Sequence, residues 1–258
     1  MNTKLLIAFA LAGLAGTAQG IESTLRCRPK KKFLNSLYRK RKMNDHPISK
    51  PAYFIAEIEF TDRDGYMQHF APLIAKVFNK FDGFHISRGG AAIDVHGHKT
   101  SSRIAIVEFP SLEKAEEMLA SDDYQNAIQI AHKYSNVRIF VADGLEISKR
   151  HYHPSSRPAY RIAEIEFTDR DGYIQHFAPM IATVFNKFDG FYISRHGTLI
   201  DVHGHKTSTR IAIVEFPSLE KAEEMLVSHD YKDAIQIAHK YSTTRIYVVD
   251  GLEIGKRH

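Results

Sequence analysis

The feature that most constrains this chain is that it says nearly the same thing twice. The stretch HPISKPAYFIAEIEFTDRDGY beginning at His46 recurs as HPSSRPAYRIAEIEFTDRDGY at His153, and the offset of 107 residues holds to the end of the chain without insertion. Roughly four positions in five are identical, and only Tyr152 separates the copies, 46–151 and 153–258. Solenoid repeats run to about 20–50 residues, so a period this long means two duplicated domains. Whatever one copy folds into, the other folds into as well.

The first copy shows one domain's order. Ala52 to Phe60 is rich in β-branched and aromatic residues, which predicts a strand. Thr61 with Asp64 resembles a capping box. Tyr66, Phe70, Ile74, Val77, Phe78 and Phe81 then recur at three- and four-residue steps, an amphipathic helix in which Pro72 should kink or loosen a turn. Phe84–Arg88 reads as a short strand, and Gly89-Gly90 with Gly97 as the punctuation of a hairpin. Arg103–Phe109 is a third strand. A second helical stretch follows Pro110-Ser111, interrupted at Ser121–Asp123, and Val137–Ala142 is the last strand. The order β-α-β-β-α-β is the ferredoxin-like, α+β arrangement, with helices on one sheet face. The other face must find a cover, and tandem connection makes the second copy its expected partner within the chain.

Charge is distributed unevenly. The net charge is +5, but Ile21–Asp45 holds nine Lys/Arg against two acids, so the repeats themselves are mildly acidic. That argues against phosphate-backbone binding by the repeats, and no nucleic-acid partner is expected. Cys27 is the single cysteine, which excludes an intramolecular disulfide or a zinc site built on two cysteines of one chain. Residues 1–20 read as a signal peptide: Lys4, an apolar run from Leu5 to Gly16, and small residues Ala18 and Gly20 before a cut at Ile21. The run is too short to span a bilayer. The expectation is a secreted or periplasmic protein with a basic, disordered segment at 21–45. The dense positive charge past the cut resists translocation, so the alternative is a cytoplasmic protein starting at Met43.

The strings AYFIAEIEFTDRDGY, ISRGG and RIAIVEFPSLEKAEEMLASDDYQNAI resemble the DUF1330 family of domains of unknown function, over almost all of each copy. The resemblance implies a dimeric α/β barrel in which two ferredoxin-like sheets pack face to face. That superfamily includes cofactor-free monooxygenases, muconolactone isomerases and haem-dependent peroxidases. This chain departs from the family pattern at Val95-His96-Gly97-His98, where an acidic Gly-Asp-Trp-like stretch is usual, and at Arg195-His196-Gly197, where Arg-Gly-Gly is.

Two constellations could carry chemistry. Glu57 and Glu59 on the first strand and Glu108 on the third are single acids inside apolar strands, where an ionised carboxylate needs a partner. With Arg88 they could form a ligand pocket working by acid–base chemistry, repeated as Glu164, Glu166, Glu215 and Arg195. The competing reading is that they make salt bridges across the sheet–sheet interface or face water. The second constellation is Asp94-x-His96-x-His98, repeated as Asp201-x-His203-x-His205. Alternate residues of a strand share a face and could ligate a metal, but the hairpin-tip setting favours a solvated turn, and no metal is assigned. His69 and His132 read as boundary side chains of helices. There is no phosphate-binding glycine loop and no nucleophile elbow, and no cofactor is expected. The functional expectation is a small organic molecule held in a cleft between sheet and helices, with isomerase-like or cofactor-free oxygenase-like chemistry implied by the resemblance. The alternative is a non-catalytic module in which duplication only replaces a homodimer.

Overall fold

A computed structural model describes residues 50–99, 103–146, 156–206 and 210–256. The signal-peptide and basic-segment readings of residues 1–45, and Met43 as a start, lie outside the described residues.

Each repeat builds four strand runs and one layer of helices. In the first, β1 (Ala52–Phe60) leads through a turn at Arg63–Gly65 and a π-turn at Tyr66–Phe70 into α1 (Ala71–Lys80). Strands β2 (Phe84–His96) and β3 (Arg103–Phe109) follow, then α2 (Leu112–Leu119), α3 (Asp122–Tyr134) and β4 (Ser135–Asp143). The second repeat gives β5 (Ala159–Phe167), α4 (Ala178–Lys187), β6 (Phe191–Arg195), β7 (Leu199–His203), β8 (Arg210–Phe216), α5 (Leu219–Val227), α6 (His229–Tyr241) and β9 (Ser242–Asp250).

Local chemistry explains the starts and irregularities. The N-cap before the first turn is Asp62 rather than Thr61, its carboxylate accepting from the Gly65 N–H at 3.0 Å. Pro72 cannot donate to the carbonyl four residues back. The register widens just ahead of it, and the Ala71 N–H reaches Tyr66 O in the five-residue π spacing. Ser111 and Ser121 cap α2 and α3 by accepting from Lys114 N and Tyr124 N, each at 3.2 Å.

The strand order is β6-β8-β5-β9-β2-β3-β1-β4-β7, with every pairing antiparallel. Because β6 and β7 are successive pieces of one strand run, the order returns to its start and forms a closed barrel. The expected hairpin forms between β2 and β3, but the chain does not turn at Gly89-Gly90. The chain bulges there and continues as one 13-residue strand, whose first part pairs with β3 and whose last part pairs with β9 of the other repeat. The matching run in the second repeat pairs β6 with β8 and β7 with β4, with a break between β6 and β7. The two seams are further tied by Ser87 Oγ–H donating to Asp250 O at 2.8 Å and Ser194 Oγ–H donating to Asp143 O at 2.7 Å.

Alternation along the strands divides the apolar residues into three cores. One face of β1 sends Tyr53 and Ile55 into the barrel, where they pack with Ile106, Phe140, Tyr160, Ile162, Ile213 and Tyr247 from both repeats. The opposite face sends Phe54, Ala56 and Ile58 under α1 and α3, and the second repeat has its own core beneath its helices. The face left uncovered in one ferredoxin-like unit is therefore buried against the other unit of the same chain.

Candidate functional site

The carboxylates singled out from the sequence separate once the strands are paired. Glu57 points into the barrel, directly across from Arg138 of β4, and Glu164 likewise lies across from Arg245 of β9. The four side chains form one buried quartet. Arg138 binds Glu164 with both terminal nitrogens, at 2.8 and 2.6 Å, and touches Glu57 at 2.5 Å. Arg245 binds Glu57 with both, at 2.7 and 2.9 Å, and touches Glu164 at 2.6 Å. Each two-pronged pairing thus crosses between repeats, the geometry for which a planar guanidinium is suited. Burial pushes the Glu164 carboxyl upward, but the Arg138 hydrogen bond and the two arginine charges outweigh it and hold the group below its ordinary value. The two positive and two negative charges are paired and cancel, although the Arg138 Nε–H is buried without a hydrogen-bond partner, and the quartet ties the two repeats together inside the barrel.

Arg88 does not join Glu57 or Glu108. It stands on the other face of the sheet, opposite Ala105, with its guanidinium 3.4 Å from His85 Nδ1. Glu108 lies opposite Tyr53 and Phe84 at the far end of the barrel interior from Glu57, half-buried. Its counterpart Glu215, opposite Tyr160 and Phe191, is fully buried. Arg195 lies over the Tyr192 ring at 4.8 Å. Glu59 and Glu166, at the ends of their strands, are exposed. The predicted pocket of Glu57, Arg88 and Glu108, with its copy of Glu164, Arg195 and Glu215, is therefore not assembled as a unit in either repeat.

The metal-like spacing is also broken. A register shift between Asp94 and His96 leaves Asp94 and His98 exposed and turns His96 onto the helices of the second repeat. There it meets His239 edge-on at 5.0 Å and Tyr231 at 6.4 Å. His203 does the same with His132 and Tyr124, while Asp201 and His205 stay exposed. Among the described residues no group of three or more His, Cys, Asp or Glu is arranged to hold a metal ion. His69 stacks on Tyr134 at 5.6 Å.

A cavity of about 400 Å³ lies between the sheet and the π-turn of the first repeat. Ile58, Phe60, Tyr66, Ile74 and Ala105 form its apolar wall, and Arg63, Arg88 and Arg103, all exposed, stand round its mouth. No ion pair to these three arginines is found among the described residues. A smaller space of about 50 Å³ shares Ile58, Tyr66, Ile74, His85 and Ala105 and leads inward to Phe54, Phe78 and Tyr124. His85 stands where the two spaces meet. Burial, with a smaller contribution from the Arg88 charge, lowers its imidazole to about 4, so the ring is neutral at pH 7. Burial raises the Tyr66 hydroxyl well above its ordinary value, so it stays protonated.

The second repeat differs at this place. Tyr192 stands where the first has His85, His196 where it has Gly89, and Arg161 where it has Phe54. The inner space is about 20 Å³. His196 sits at φ 59°, the left-handed conformation that Gly89 adopts at φ 65°. Burial and the charges of Arg195, Arg210 and Arg170 lower its imidazole.

Sequence reasoning missed Arg138 and Arg245, each an isolated cation in an apolar last strand, the mirror image of the isolated acids it did note. It also missed His85 and Arg161. Both occupy positions at which two otherwise matching strands disagree, and that disagreement was the available signal.

Solved structures with a related arrangement share little sequence with this chain. An anthrone oxidase-like protein is 14% identical, with a TM-score of 0.43, covering 80% of this chain and 94% of its own. A chlorite dismutase variant from Candidatus Nitrospira defluvii, solved with cyanide, is 11% identical with a TM-score of 0.45, covering 81% and 93%. A protein of unknown function from Rhodopseudomonas palustris is 16% identical, with a TM-score of 0.31, and 97% of it is matched by 48% of this chain. No curated protein matches. The family model described as "Domain of unknown function (DUF1330)" matches residues 51–145 and again 158–252. The chain belongs to the DUF1330 family, as two tandem members fused into one barrel.

Proposed function

We propose that the first repeat binds a small organic acid in the cavity between its sheet and π-turn. One observation carries this reading: three arginines without an ion pair among the described residues surround the mouth of an apolar space of about 400 Å³. A ligand pocket of roughly 300–1,000 Å³ takes a small molecule, and a few convergent polar groups fix its orientation. Arg63, Arg88 and Arg103 would hold the carboxylate, since guanidinium groups match it in shape and charge. Ile58, Phe60, Tyr66 and Ile74 would cover the apolar body, with the Tyr66 hydroxyl available as a donor.

Turnover is a second reading, favoured by His85 alone. Isomerase-like and cofactor-free oxygenase-like reactions begin by taking a proton from carbon, and His85 is the neutral imidazole in this cavity. A carboxylate arriving beside Arg88 would offset that cation and raise the basicity of the ring. Binding comes first, because an imidazole held near 4 is a weak base until then.

The test is calorimetric titration of a set of aromatic and aliphatic monocarboxylates against their neutral amides. Acids are expected to bind at micromolar levels and amides at least about tenfold more weakly. Arg88→Ala combined with Arg103→Ala should remove that preference. Equal binding of acid and amide, or no acid binding below millimolar concentration, would refute the reading.

A further inference from the structure

The second repeat contains a charge that its surroundings leave unmatched. Arg161 lies on β5 at the position of Phe54, beneath the helices, and is only 3% exposed. A guanidinium cannot shed its proton to escape burial, and a buried cation without a counter-charge is strongly unfavourable. The Phe185 and Tyr231 rings face it at 5.1 and 5.8 Å. Such contacts return only part of the lost hydration. No ion pair and no hydrogen-bond acceptor for Arg161 is found among the described residues, and its Nε is buried without a partner.

The surroundings are built of donors. Arg161, Thr244, Tyr192 and Tyr173 line a space of about 20 Å³ whose other walls are apolar, and no carboxylate lines it. The Thr244 hydroxyl is buried without a partner. In the first repeat the corresponding residues are Phe54, Val137, His85 and Tyr66, so three substitutions in one copy each add or replace a polar group on a single wall. His96 reaches across from the first repeat onto Tyr231.

We propose that this space is a binding site for a monatomic anion of chloride size, held by Arg161 and capped by the Thr244 and Tyr192 hydroxyls. The volume sets the size: one water-sized sphere needs about 10–15 Å³ on this measure, so the space takes one such species and excludes an organic acid. Charge sets the kind. A water molecule leaves the guanidinium uncompensated, whereas a halide neutralises it and accepts from hydroxyl donors. The site is independent of the organic-acid cavity of the first repeat and stands or falls separately.

The test uses the full chain in halide-free buffer, with sodium bromide added against sodium sulfate at constant ionic strength. Binding to the folded state alone should raise the melting temperature by roughly 3–6 °C once bromide exceeds its dissociation constant about tenfold. Arg161→Phe, which installs the side chain the first repeat already accommodates, should abolish the bromide response and melt no lower than the halide-free parent. Crystals of the parent chain soaked in bromide should give an anomalous peak beside Arg161, a readout that does not depend on the variant folding. An undiminished bromide response in Arg161→Phe, or a bromide-soaked crystal with no anomalous scatterer beside Arg161, would overturn the proposal.

Discussion

Replacing Arg138 by methionine removes three of the six hydrogen bonds in the buried quartet and leaves Glu57 and Glu164 sharing Arg245 alone. The site then carries one net negative charge at a place where both carboxylates are less than a tenth exposed. Breaking a buried pair from one side typically costs about 3–5 kcal/mol, because the remaining charge is neither hydrated nor matched. For a folded unit of this size each kcal/mol lowers the melting point by about 2–4 °C, so the drop should be roughly 6–20 °C. Calorimetric melting at pH 7 measures it. The pH dependence gives a second check. In the parent, Glu164 sits below its ordinary value, so its contribution is present above about 4.5 and is lost as pH falls. In Arg138→Met, Glu164 loses the hydrogen bonds and charge that most strongly hold it down, while its burial still favours the protonated form. The gap between variant and parent should therefore narrow as pH falls below about 5. Changing all four residues to methionine should recover most of the loss, since apolar replacement of a complete buried network is often near neutral. A loss under about 1 kcal/mol at pH 7 for Arg138→Met would refute the claim that these charges depend on one another.

Three further outcomes are expected. His85 titrates near 4 when folded and near 6.5 when unfolded, so it contributes stability above 6.5 that fades toward pH 4. His85→Tyr should flatten urea-derived stability over that interval by about 3 kcal/mol, and an unchanged slope would show that His85 is not desolvated. His196→Gly should raise stability by about 0.5–1 kcal/mol, because glycine adopts the left-handed conformation found there without strain; a lower melting point would mean that the imidazole contributes more than its backbone costs. The second repeat expressed alone, residues 153–258, should be a dimer by light scattering at micromolar concentration, since β9 and β7 lose the partners that β2 and β4 supply; a stable monomer would contradict the seam assignment.

Elements governed by local periodicity could be read directly. The spacing of Tyr66, Ile74 and Phe78 gave the helical face, and the β-branched and aromatic residues of Ala52–Phe60 gave a strand, which the fold buries on both sides. The path through Gly89-Gly90 was not legible, because two glycines read alike as a turn or as a bulge. What decides between them is β9, about 150 residues further along, offering its edge to Ala92–His96. The same distance hid the function of Glu57. Its isolation among apolar residues correctly signalled a charged partner, but Arg88, the cation expected to pair with it, points to the opposite face, while Arg138 and Arg245 approach only when the barrel closes. Arg161 went unread because the copies were treated as equivalent, although its strand otherwise matches that of Phe54 residue for residue.

Closure of the barrel by one chain also changes what a substitution can do. In a symmetric homodimer every amino-acid change is made twice, so a guanidinium placed under one set of helices appears under both, and the apolar alternative is lost at the same stroke. Here the peptide bonds joining the repeats dissolve that coupling. Phe54 and Arg161, His85 and Tyr192, Gly89 and His196 coexist on one scaffold, while the charges at Glu57, Arg138, Glu164 and Arg245 keep their two-fold correspondence. The interior junction keeps a two-fold symmetry, and the outer chambers are free to differ one at a time.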